Sequence, residues 1–143
     1  MSFTGLASFD RTVHLTNLWL KELAEEMHCQ KDRQRAYHAL RAVLHALRDR
    51  LPVGEAANLG AQLPLLLRGV YYEGWRPVSH AFHKPRNKAQ FMERVASALS
   101  SEPGLDAEPV VRSVLRLLAR HVSGGEINDV KRNLPESLQT LWN

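Results

Sequence analysis

Leu51-Pro-Val-Gly-Glu-Ala-Ala-Asn-Leu-Gly-Ala-Gln-Leu-Pro-Leu-Leu-Leu-Arg-Gly-Val-Tyr-Tyr-Glu-Gly-Trp75 recurs, in degenerate form, at the end of the chain as Val122-Ser-Gly-Gly-Glu-Ile-Asn-Asp-Val-Lys-Arg-Asn-Leu-Pro-Glu-Ser-Leu-Gln-Thr-Leu-Trp142. At a shift of 71 positions Gly54 and Glu55 fall on Gly125 and Glu126, and Leu63-Pro64 falls on Leu134-Pro135. Leu59, Leu67, Val70 and Tyr71 fall on Val130, Leu138, Leu141 and Trp142. In both copies a short helix precedes the Leu-Pro pair, and proline then opens a second helix, where its fixed φ and missing amide cost nothing. In the first copy Gly74 stops that second helix. The pattern describes how a chain is built; it carries no catalytic signature.

Upstream of the first copy the periodicity is helical. Leu15, Leu18, Trp19, Leu23 and Met27 share one face, opposite Lys21, Glu22, Glu25 and Glu26. Asp32 can cap the next helix, in which Ala36, Leu40, Val43, Leu44, Leu47 and Leu51 form an apolar stripe. Arg35, His38, Arg41, His45, Arg48 and Asp49 form its polar face, and Pro52 ends it. The second half answers the first. Phe91, Met92, Val95, Ala96 and Leu99 match Trp19, Leu20, Leu23, Ala24 and Met27 at a shift of 72. Asp106 can cap the following helix, whose stripe is Val111, Val114, Leu115, Leu118 and Val122. Ser123-Gly-Gly-Glu126 reads as a capping box, with the glutamate reaching back to the serine amide.

The expected architecture is therefore all-α, two tandem copies of a roughly four-helix unit packed as one helical domain, about eight helices in total. Residues 1–75 form the first repeat, 76–88 a linker and 89–143 the second. The helix from Pro64 to Tyr72 is apolar on most sides and is expected at the centre, between the repeats or in a partner subunit.

Composition narrows the class. With one cysteine, Cys29, the 143-residue chain has no internal disulfide framework, as in a reducing cytoplasmic compartment. No secretory signal and no bilayer-spanning apolar run is present. The 19 cationic and 15 acidic side chains leave a net charge of +4, and four cations without an acid lie between Trp75 and Lys88: Arg76, Lys84, Arg86 and Lys88. One basic segment thus accounts for the whole excess.

Several segments together resemble the bacterial family catalogued as domain of unknown function 2267. They are Phe9-Asp-Arg-Thr12, Trp19-Leu-Lys-Glu-Leu23, Arg35-Ala-Tyr37, Leu40 to Pro52, Ala61-Gln-Leu-Pro64 and Arg68 to Trp75. The resemblance runs over nearly the whole chain. It implies a small, duplicated, all-helical bacterial protein, and it brings no reaction, cofactor or catalytic residue to carry over.

Each candidate for chemistry has a plainer explanation beside it. His80 and His83 have ligand spacing, yet no cysteine or linker carboxylate completes a metal shell. Cys29 follows His28, and adjacent residues point apart. Glu55 and Glu126, equivalent in the two copies, suggest paired carboxylates, but the first turn of a helix favours an acid without any catalysis. His38, Arg41, His45 and Arg48 make a solvated basic face or an anion-binding patch. The most function-like group is Tyr71, Tyr72, Trp75, Arg76, Phe82, Lys84, Arg86 and Lys88, since aromatics among cations suit protein interfaces or stack on bases. The reading that results is a non-enzymatic, cytoplasmic protein without metal or cofactor. It binds a protein partner or forms a homodimer through Leu65, Leu66, Tyr72 and Trp75. The alternative is weak nucleic-acid binding through the basic segment.

Overall fold

A computed structural model describes residues 3–143, without the side chains of His80, Ala81 and Phe82. Among the described residues there is no strand. Nine α-helices follow one another: α1 Ala7–Glu26, α2 Arg33–Arg50, α3 Val53–Ala61, α4 Leu65–Tyr72, α5 Pro77–His83, α6 Lys88–Ala98, α7 Ala107–His121, α8 Gly124–Arg132 and α9 Glu136–Gln139, closed by a 3-10 turn, Thr140–Trp142. Among the described residues no helix is long and apolar enough to cross a membrane.

The helix starts follow from local chemistry. Asp32 accepts from the Arg35 amide at 3.3 Å and Asn87 accepts from the Gln90 amide at 2.9 Å, so α2 and α6 begin on side-chain caps. Asp106 stands at the cap position of α7, where its side chain makes no capping bond. Pro52, Pro64 and Pro135 hold the extended residue before α3, α4 and α9. The Ser123 hydroxyl accepts from the Glu126 amide at 3.2 Å. The other half of the expected capping box is not made: the Ser123 amide donates to Gln62 Oε1 at 3.2 Å, which frees the Glu126 carboxyl for other contacts. At the end of α1 His28 takes a left-handed φ of 58°, and the Cys29 amide returns to the Ala24 carbonyl at 2.8 Å.

α2 is the central element. It packs against α1, α3, α4, α5, α6 and α7, and α7 in turn meets α1, α6 and α8. Ala36, Ala39, Ala42 and Ala46 are buried along with Leu40, Val43, Leu44 and Leu47. Small side chains between the leucines let neighbours approach α2 from more than one side. The expectation that the Pro64–Tyr72 helix is central is thereby corrected. α4 buries only Leu67 and Tyr71, while Leu65 is 53% and Leu66 46% exposed. The segment expected as a linker also holds a helix, α5, which Pro77 starts and which packs on α2.

Candidate functional site

The polar face of α2 is neither a solvated basic surface nor an anion patch. The end of α4 docks on it. The His45 ring lies 2.7 Å from the Val70 carbonyl, and Arg48 donates to the Tyr71 and Glu73 carbonyls at 2.8 Å each. Arg41 holds Glu73 at 2.7 Å. A helix C-terminus leaves carbonyls unsatisfied and carries partial negative charge, so the Arg48 guanidinium and the His45 ring, one turn apart, are suited to close it. Burial pushes the His45 imidazole below its ordinary pKa, assisted by Arg48 and Arg41 and opposed by the Val70 bond. Arg48 is itself buried and pairs with the buried Asp49 at 2.8 Å, which Arg94 approaches at 3.6 Å. His38 pairs with Glu102 ahead of α7.

This docking orders the aromatic cluster. Tyr71 is fully buried and donates its hydroxyl to the Ala56 carbonyl at 2.6 Å; burial is the first cause that pushes its phenol pKa up. Its reading as a partner-contacting residue is corrected: the ring belongs to the core. Tyr72 and Trp75 are half-buried, packed against that core, with ring centroids 5.3 Å apart. In the basic segment Arg76, Lys84 and Arg86 are exposed, whereas Lys88 reaches Glu108 at 2.9 Å. His83 is exposed, and the His80 and Phe82 side chains lie outside the described residues. Cys29 is half-buried, and burial raises its thiol pKa against the opposing charge of Arg35, with Asp32 and Glu102 raising it further. A protonated thiol is a poor nucleophile.

Leu65 and Leu66 lie where α4 begins. The Leu66 amide donates to Thr12 Oγ1 at 2.8 Å, which seats the first turn of α4 on α1. Phe9, Val13, Leu65, Leu66 and Gly69, with Thr4 and Thr12, line an open groove of about 370 Å³ that contains no charged side chain. Phe9 is 48% exposed, and Phe3 and Leu6 are exposed nearby in the chain.

A second cluster is acidic. α3 packs on α8, and the first turns of the two helices bring Glu55 to Glu126. One carboxylate oxygen from each, together with one from Asp129, lies within 4.8 Å of the others. Glu126 is buried. Burial, then the bond and charge of Glu55, then the charge of Asp129 push its carboxyl up to about 8. Sequence reasoning reached Glu55 and Glu126 as equivalent residues and assigned them to helix capping. It passed over Asp129 and Asn133, although Asp129, three residues after Glu126, shares its helix face.

The sequence model of the family described as uncharacterized conserved protein (DUF2267) matches residues 16–141. The chain belongs to that family. Among curated proteins none matches it.

Proposed function

We propose that this member of the DUF2267 family is a non-enzymatic self-association module of the cytoplasm, in which the groove between α1 and α4 meets the same groove of a second copy. The carrying observation is the exposure of Leu65 and Leu66 beside Phe9 in an uncharged lining. Apolar side chains held out of a core favour association once water is displaced from both sides. An uncharged lining can meet itself: under two-fold symmetry the same patch of both copies comes together, and no like charges are brought into contact. Tyr72 and Trp75, packed against the core, do not line this groove.

The chain is further read as two tandem repeats. In support, the bounds of α8 lie 71 positions beyond those of α3, the shift found in the sequence. Hydrogen exchange at rising protein concentration tests the association. The amides of the first turns of α1 and α4 should become protected together. Protection that does not depend on concentration would count against it. Exposed Lys84 and Arg86 favour the second reading, nucleic-acid binding, in which counterion release would make binding fall steeply with salt.

A further inference from the structure

Glu55 and Glu126 are the acids of greatest interest outside the groove, because each has a buried oxygen, Oε2, without a hydrogen-bond partner. Two such atoms at the crossing of two helices form an unusual pair. The remaining contacts are accounted for. Asn133 donates to Glu55 Oε1 at 3.4 Å, and Arg132 pairs with Asp129. We propose that Glu55 and Glu126 share one proton, and that this carboxyl–carboxylate pair is a pH-sensitive clasp holding α3 against α8.

A single proton satisfies both orphaned oxygens at once. The protonated Glu126 donates its O–H, and the ionised Glu55 accepts it. Without the proton, two carboxylates face each other with one oxygen of each buried, and like charges so placed cannot both ionise without cost. The charges acting on Glu126 are Glu55 from α3 and Asp129 from its own helix, both negative. From α4 the neighbouring titratable group is the Tyr71 phenol, held in its neutral form. Arg120 and His121, which end α7, are engaged by Glu22 of α1, and Glu136 of α9 is exposed. No cation is among the charges that act on the Glu126 carboxyl, Arg132 being held by Asp129, and its raised carboxyl value agrees with the geometry. The Ser123–Gln62 bond is the adjacent tie between the same two elements.

The direction follows from linkage. In the unfolded chain a glutamate titrates at about 4.3. A group whose folded value is raised adds stability that is fully present below the unfolded value and is lost as pH rises through the folded one, here about 8. The clasp is closed in mildly acidic solution and opens above neutral pH.

The experiment is thermal unfolding of the wild type and of Glu126→Gln from pH 5 to pH 9.5, with hydrogen exchange of the α3 and α8 amides corrected for intrinsic rates. The wild-type Tm should fall from pH 5 to about 8 and level off above it, and the corrected exchange of α3 and α8 should rise by up to about tenfold per pH unit between the unfolded and folded carboxyl values and plateau beyond the folded one. In Glu126→Gln, whose amide still donates to Glu55, both dependences should flatten. An equal pH dependence in the variant would overturn the clasp. So would a wild-type Tm at pH 9 that rises with millimolar magnesium, calcium or manganese and does not rise in the variant, since the cluster would then hold a cation instead of a proton. Should the variant fail to fold, carbon-detected titration of the wild-type side chains decides: one carboxyl titrating near 8 supports the proposal, and every carboxyl titrating below 5.5 refutes it. These readouts concern α3 and α8 and do not depend on whether the groove associates.

Discussion

His28 is the one non-glycine residue among those described that takes a positive φ. A left-handed residue with a Cβ costs about 1–2 kcal/mol, and glycine recovers part of this while loosening the unfolded chain. His28→Gly should therefore stabilise the fold by about 0.5–1 kcal/mol, read as a higher denaturant midpoint; a lower midpoint would mean that the imidazole itself matters. Tyr71 makes the opposite case. Its hydroxyl reaches the Ala56 carbonyl from within the core, so Tyr71→Phe should lose about 1 kcal/mol in chemical denaturation and leave any association unchanged. Sequence reasoning grouped Tyr71 with the surface cations because it stands next to them in the chain. Burial is set by the helix face, and α4 turns Tyr71 inward with Leu67.

Between elements, the contact that the sequence hides best is α3 on α4. A Cβ at Gly60 would lie 2.5 Å from the Tyr72 hydroxyl and 3.0 Å from Tyr71 Cε2. Gly60 is needed for this close approach and not for its φ. Gly60→Ala should thus cost about 1–3 kcal/mol through overpacking, despite alanine's better helix propensity, and a stabilised variant in thermal denaturation would show that the aromatic pair can yield. Much of the element order was legible: the short helix expected before Leu63-Pro64 is Val53–Ala61, and that expected from Pro64 to Tyr72 is Leu65–Tyr72. α5 was not, because the charge of residues 76–88 reads as a solvated linker, though Pro77 marks a helix start. Nor was the fate of the α2 polar face. Periodicity reveals which side of a helix is polar; it does not reveal that the carbonyl end of another helix docks there.

For the molecule as a whole, α2 and α7 carry the core, and two features remain that the core does not need. One is the acid pair where α3 meets α8, in which Glu126 is buried and Glu55 half-buried. Its members were legible as equivalent residues, but their meeting depends on packing between segments far apart in the chain. The other is the uncharged groove of Phe9, Leu65 and Leu66. Leucines at 65 and 66 were legible as unusual because the matching positions are Glu136 and Ser137. Their surplus apolarity fits either a central position or a partner's surface, and the fold leaves it exposed. The measurement that bears most directly on the central claim is the solution mass, by light scattering on a sizing column at low and high salt, of the wild type and of Leu66→Asp. An acid in the first turn of α4 suits the helix dipole, so the variant should remain folded. The account predicts a wild-type dimer that persists in high salt and a monomeric Leu66→Asp. A wild-type monomer at every concentration, or one that co-elutes with nucleic acid only at low salt, would contradict it.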